Sequence, residues 1–266
     1  MKQGSKQLGK AFLGLALGLV WLIPFYLMVT NSFKTKQEIF TNPLKFPEAF
    51  TFENYPEAFR QLDFIRTLAN SLLITVSSVI IIVIFSAMAA YALERIKSKF
   101  STVTFMVFVA AMLVPFQSVM IPLVALFGKA QMLNQIGIIF MYLGFGGSMS
   151  IFLYHGAMKS IPRALDEAAI IDGASRWQVF WKVIFPMLKP TTVTVAVLNT
   201  MWIWNDYLLP SLVINSPTTQ TIPLKMFFFF GQYTKQWHLA LAGLVIAILP
   251  VIIFYFFMQK HIIKGV

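Results

Sequence analysis

In the stretch Trp202-Ile203-Trp204-Asn205-Asp206-Tyr207, Asp206 is the one acid set inside a hydrophobic run. Aromatic rings receive apolar C–H faces, and amide and carboxylate groups receive hydroxyls. Trp202, Asn205 and Asp206 therefore suit the wall of a path for a polar solute. The place of Asp206 near the end of its run equally suits a structural task, reaching the interface or fixing the run's end with Asn205. Both readings stand at this point. Tyr142 and Asn199, set deeper in hydrophobic runs, are pathway candidates on the same grounds. Trp202, Trp204 and Tyr207 also have the composition of an interfacial aromatic belt.

Other chemistries find no residues to carry them. His155, His238 and His261 are scattered, with no ligand partners at metal spacing. No nucleophile, base and orienting acid assemble. The closest approach to a phosphate loop is GSKQLGKA at 4–11, and Ala11 stands where a magnesium-binding Ser or Thr is needed, with no strand before it. That segment reads as the basic flank of a hydrophobic run. The absence of cysteine removes disulfides and thiolate metal sites.

A second chemistry-bearing stretch, EAAIIDGASRWQVFWKVIFP at 167–186, lies between two long hydrophobic runs. Pro162 suits a first helical turn, and Asp166 and Glu167 follow where the helix dipole favours negative charge. Gly173 ends that helix. Ser175 and Gln178 have capping-box spacing and start a second helix, which Pro186 stops before Pro190 opens the next run. Trp177, Phe180, Trp181 and Ile184 fall at i, i+3, i+4 and i+7, so the second helix carries an apolar stripe. The first helix offers the small residues Ala164, Ala168 and Ala169 for close approach and Glu167 and Asp172 for charge-specific contact. Two readings follow: a helix pair resting at the head-group boundary, or a docking element for a partner.

The elements that position these residues follow from composition. The 266-residue chain is 58% hydrophobic and 12% charged, with a mean hydropathy of +0.74, too apolar for a soluble domain. A membrane span takes about 20 apolar residues at about 1.5 Å rise each. Six runs qualify: about 11–30, 69–93, 102–127, 136–157, 190–212 and 238–258. The alternation of a barrel is missing, and open sheet edges go unsatisfied in lipid. The expectation is an all-α membrane protein with a single transmembrane domain over 1–266 and a helix-turn-helix loop, 160–186, between spans four and five. Pro115 and Pro122 predict a bend in the third span. Gly14 and Gly18 predict a close helix contact at the first.

Charge orients the spans. The N-terminal flank, Arg95 to Lys99, Lys159 to Lys189, and Lys260 with Lys264 share one side and hold the majority of the 21 basic residues. By the positive-inside bias that side, with both termini, is cytoplasmic. No small-residue cleavage site follows the first run, which reads as an uncleaved anchor. The bias and contact with anionic lipid explain the net charge of +11 without a nucleic-acid partner.

Glu167-Ala168-Ala169, three residues, Gly173, nine residues, then Val183-Ile184-Phe185-Pro186 resembles the EAA loop of permease subunits of binding-protein-dependent ABC importers. Val183 and Phe185 stand where that loop usually has Ile and Leu. Ile170 to Ala174, with Phe180 and Pro190, is similar to the carbohydrate-uptake branch and its MalG-like half. Asn31 to Lys34, Asn54-Tyr55, Asn70-Ser71-Leu72, Pro115 to Leu123, Ile161-Pro162, Trp204-Asn205-Asp206 and Ile222-Pro223-Leu224 resemble family positions in family order.

The resemblance implies one of two membrane subunits of a bacterial inner-membrane importer, forming half of a translocation path for a sugar or oligosaccharide. It implies no enzymatic activity and no cofactor in this chain, with ATP and magnesium bound by a partner ATPase. Glu167, Ala168, Ala169, Asp172, Gly173 and Ala174 would couple to that ATPase, supported by Trp177, Phe180, Trp181 and Pro186. The implied partners are a second homologous permease, two ATPase subunits and an extracytoplasmic sugar-binding protein facing loops 31–66 and 213–236. The chain ends at Lys264-Gly265-Val266 where relatives often continue, so a tail contact with the ATPase is expected to be missing. An importer of another solute, such as an amino acid, peptide or glycerol phosphate ester, is the alternative. A secondary transporter is the more distant one, since it would carry intramembrane acids and internal repeats.

Overall fold

A computed structural model describes the backbone of residues 2–231 and 235–262, and side chains over 10–231, 235–254 and at Phe256. The expectations for Lys264, Gly265 and Val266 lie outside the described residues, as do the side chains of Lys260 and His261. The helices in chain order are α1 (Lys2–Ser32), α2 (Lys36–Thr41), α3 (Asn54–Gln61), α4 (Phe64–Arg95), α5 (Lys99–Ala111), α6 (Phe116–Lys129), α7 (Gln135–Met158), α8 (Ala164–Ile171), α9 (Arg176–Gln178), α10 (Phe185–Met187), α11 (Lys189–Asn205), α12 (Leu208–Val213), α13 (Ile222–Met226) and α14 (Trp237–Ile262). A π-helical segment, Val179–Ile184, joins α9 to α10. The described residues hold no strand beyond the isolated bridge Phe230–Lys235.

This is an all-α membrane protein. Among the described residues, four helices are long and apolar enough to cross a bilayer, over Lys10–Ser32, Phe64–Arg95, Gln135–Met158 and Trp237–Phe254. They match four of the expected runs closely. The other two runs are broken. Lys99–Ala111 and Phe116–Lys129 meet at 105°. The bend expected in this run is therefore a break, located at Met112–Pro115. Pro115 is the extended N-cap of α6, while Pro122 sits inside that helix. The run 190–212 ends its helix at Asn205, where Asp206 takes an extended conformation before α12. The segment Lys189–Asn205 also turns 76° from the loop helix Arg176–Met187. The span count is thus four, or up to six if each bent pair is one span.

The chain divides into two compact units: residues 1–64 with 225–254, and 65–224 with 255–266. In the first, a loop after α1 is organised around Lys34, whose side chain is fully buried. Its Nζ donates to Asn31 Oδ1 at 3.0 Å and to the carbonyls of Asn42, 2.8 Å, and Lys45, 2.6 Å. Desolvation holds its pKa below the usual lysine value, partly opposed by Glu38. Asn54 closes the loop by donating to the Ser32 and Lys34 carbonyls. Phe33 packs on Phe50, Phe52 and Tyr55. Phe40, Leu44, Phe46, Phe50 and Phe52 remain largely exposed. The contact expected of Gly14 and Gly18 is not made among the described residues, since a Cβ at either would meet nothing within 4 Å.

In the second unit, α4, α7 and α11 bury Ile82, Tyr142, Tyr154 and Val195 with Phe180 and Ile184 of the loop. Gly146 permits this packing: a Cβ there would meet Asn199 Oδ1 and lie 2.7 Å from Ile82 Cδ1. Asn199 in turn donates to Ser150 Oγ at 3.1 Å and to the Val195 carbonyl. At the other end, Asn70 donates to the carbonyls of Thr218 and Gln220, and Gln135 donates to Asn70 Oδ1.

Candidate coupling loop and translocation face

The short helix α8 is closed by hydrogen bonds that require Gly173. The Gly173 N–H donates to the Ile170 carbonyl at 3.0 Å, and the Ala174 N–H donates to the Ala169 carbonyl at 2.9 Å. This is the Schellman pattern, with Gly173 at φ 84°, where a side chain is disfavoured. Two residues later the capping box forms as its spacing predicts. Ser175 Oγ accepts from the Gln178 N–H, and Gln178 Oε1 accepts from the Ser175 N–H. Helix, turn and helix follow as expected to that point.

The second helix departs from the expected stripe because Val179–Ile184 is π-helical. Wider winding brings Val179, Phe180, Ile184 and Leu188 inward, all buried, and leaves Trp177 60% exposed. Trp177 touches the ring of Trp181 alone among the aromatic pairs described, at 5.7 Å. Phe180 lies 5.4 Å from Tyr91 of α4, and Trp181 packs on Phe180 and Phe185. The helix also passes Pro186, which is exposed, and stops at Leu188. An α-helical Pro186 would withhold a donor from the Lys182 carbonyl. The π turn just before it loosens that register.

The expected coupling residues separate by exposure. Glu167, Ala168, Asp172 and Gly173 are exposed, together with Ile170 and, at 85%, Ile171. Ala169 and Ala174 are partly buried and pack toward the core at the turn. Asp166, assigned above only to the helix dipole, is 8% exposed and forms an ion pair with Arg95, Nη2 to Oδ2 at 2.8 Å. The sequence carries no signal that joins them, since the basic residue at the end of one span and the acid at the start of the loop helix stand 71 positions apart.

Three of the five pathway candidates meet. Tyr142 Oη donates to Asp206 Oδ2 at 2.9 Å, and the Tyr142 and Trp202 rings meet edge to face at 5.4 Å. Trp202 is 43% exposed, whereas Tyr142 is fully buried. Asp206 Oδ1 accepts from the Leu208 N–H at 2.9 Å, capping α12, so its carboxylate has a structural task whichever else it performs. Asn199 is buried and bonds Ser150 rather than any member of this group, and Asn205 bonds back to the Met201 carbonyl while exposed. A hollow of about 550 Å³ lies elsewhere, lined by Phe105, Phe152, His155, Lys159 and Thr194. His155 there pairs with Glu94 at 3.3 Å and stacks on Phe105.

Comparison with known proteins gives the family of the chain. The model of the family described as binding-protein-dependent transport system inner membrane component matches residues 82–266. The chain belongs to that family, whose members are multi-pass permeases. It is 57% identical over 255 residues to a probable starch degradation products transport system permease protein of Thermoanaerobacterium thermosulfurigenes, covering 96% of this chain and 93% of the relative. It is 36% identical to a multiple sugar-binding transport system permease protein of Streptococcus mutans, covering 93% and 91%. It is 34% identical to a melibiose/raffinose/stachyose import permease protein of Bacillus subtilis, covering 91% and 88%. Among solved structures, a bacterial ABC transporter involved in the import of the acidic polysaccharide alginate superposes with a TM-score of 0.78 at 25% identity, covering 96% of this chain and 97% of that one.

Proposed function

We propose that this chain is one of two membrane subunits of a bacterial ABC importer and forms half of the path for a sugar or oligosaccharide. An extracytoplasmic binding protein delivers the solute, and two separate ATPase subunits supply the energy. The observation that carries the importer reading is the exposed Glu167 to Gly173 surface, seated on a buried platform of Val179, Phe180 and Ile184. The solute class rests on relatives named for starch degradation products, multiple sugars and raffinose-type oligosaccharides.

Mechanically, closure of the ATPases on nucleotide displaces α8. The attached helices then exchange between inward and outward openings, a two-state element biased by its partner. Both termini and α8 face the cytoplasm in this scheme. The loop over 31–66, with Phe40, Phe46, Phe50 and Phe52 exposed around the Lys34 cage, faces the binding protein. Trp202 and Asp206, held from behind by the buried Tyr142, form the best-equipped wall for hydroxylated solute. Asn205 lies at its exposed edge, and Asn199 supports the helices behind it.

The test is uptake in a host lacking this gene, measured with radiolabelled malto-oligosaccharides, raffinose-type sugars, amino acids, peptides and glycerol phosphate esters. Loss of uptake of at least one sugar, restored by the plasmid-borne gene, is the expected result. Unchanged sugar uptake, with loss for another solute class, would move the assignment to that class.

A further inference from the structure

The residue before the exposed coupling face points the opposite way. Glu167 is exposed, whereas Asp166 is buried and accepts three hydrogen bonds from α4. Arg95 Nη2 donates to Oδ2 at 2.8 Å, Arg95 Nε to Oδ1 at 3.2 Å, and Tyr91 Oη to Oδ1 at 2.7 Å. Arg95 Nη2 also reaches the Ile161 carbonyl at 3.3 Å, just before α8. The connection is reciprocal. Arg163, at the start of α8, donates to the Glu94 and Arg95 carbonyls at 2.7 and 3.1 Å, where α4 runs out of intrahelical donors. Tyr91 adds its ring against Phe180 of the π segment.

We propose that Asp166, Arg95 and Arg163 are positioning residues that fasten α8 to the end of α4, so that displacement of the coupling loop is delivered into this membrane helix. This rests on reading Glu167 to Gly173 as the ATPase-docking face. A planar guanidinium gripping both carboxylate oxygens fixes orientation as well as distance, which a single hydrogen bond or an apolar contact does not. The fastening meets α8 in its first turn and leaves the rest of its outer face free for a partner. A load applied at Glu167 is therefore one residue from the grip. α4, at 32 residues, spans about 48 Å, so a small rotation at Arg95 becomes a larger displacement at its far end.

The test compares Asp166→Asn, which keeps the side-chain shape, with Glu167→Lys in the assembled importer reconstituted in lipid vesicles. ATPase recovery, basal hydrolysis and sugar transported per ATP are measured together. In Asp166→Asn the ATPase is expected to co-purify as in the wild type, with transport per ATP falling about tenfold or more. Tyr91→Phe, which removes one of three donors, should fall between. The chain has no native cysteine, so Arg95→Cys/Asp166→Cys bridged by a short bifunctional maleimide offers a covalent substitute. Transport per ATP should recover on bridging if fastening is the task.

Undiminished coupling in both Asp166→Asn and the unbridged cysteine pair would overturn the proposal. Loss of the ATPase from Asp166→Asn at normal abundance would also overturn it, by placing Asp166 in the docking face. If Asp166→Asn does not accumulate, the cysteine pair decides, and bridging without recovery counts against fastening. Retention of the ATPase by Glu167→Lys would instead refute the docking reading itself.

Discussion

At the scale of single residues, the loop depends on atoms whose tasks are separable. Gly173 is held at φ 84° by the two hydrogen bonds that close α8. Gly173→Ala would strain that turn by about 1–2 kcal/mol, and a β-branched residue by more. The expected outcome is normal membrane abundance for Gly173→Ala with reduced ATPase recovery. Full recovery for Gly173→Val would show that the turn is not needed. Asp206 separates in a similar way. Asp206→Ala removes the cap on α12, at about 1 kcal/mol, whereas Asp206→Asn keeps an oxygen for the Leu208 N–H and removes the charge beside Tyr142. If Asp206 lines the path, Asp206→Asn changes the concentration dependence of uptake while the purified chain melts as before. Unaltered kinetics would leave it a capping residue alone. Gly173 and the Ser175–Gln178 box were legible in the sequence because each acts within four residues. The grip of Arg95 on Asp166 was not, because its partners stand 71 positions apart and either charge alone has an ordinary explanation at a helix end.

At the scale of elements, hydrophobic runs announced the helices, but not where they break. The 3.6-residue period predicted that Trp177 would share a buried face with Phe180. The π turn rotated it out and drew Val179 in. Pro115 marked the position of the break between α5 and α6, while its 105° angle depends on contacts a proline does not encode. Close packing of α4, α7 and α11 has a sharper requirement at Gly146. Gly146→Leu would drive its side chain into Asn199 and Ile82. Overpacking of this kind costs about 1–3 kcal/mol, and the purified chain should lose thermal stability in detergent. Gly144→Leu is the control, because a Cβ there meets nothing within 4 Å. Equal stability of the two variants would contradict the packing described for α4, α7 and α11.

At the scale of the whole molecule, composition placed the chain in a membrane, and the charge bias predicts that α8 lies on the cytoplasmic side. The absence of cysteine makes that orientation directly measurable. Ile171→Cys on α8 should react with an impermeant maleimide only in inside-out vesicles, and Leu44→Cys only in intact spheroplasts. Both side chains are exposed in the isolated chain, so the labelling is done on cells expressing it without its partner subunits. Labelling of Ile171→Cys from the outside would invert the topology and remove the basis for an ATPase contact. What could not be read from the chain is which surfaces a partner covers. The open face of α1 around Gly14 and Gly18, and that of α8 around Glu167, are both left without neighbours among the described residues.

The most direct test of the central claim is to purify the tagged chain from its native host in mild detergent, beside a Glu167→Lys variant, and identify the co-purifying subunits by mass spectrometry. The account predicts a second permease and an ATPase with the wild-type chain, and loss of the ATPase with the variant at equal abundance. Recovery of this chain alone, under conditions that keep a known importer intact, would contradict it and point to a self-sufficient carrier.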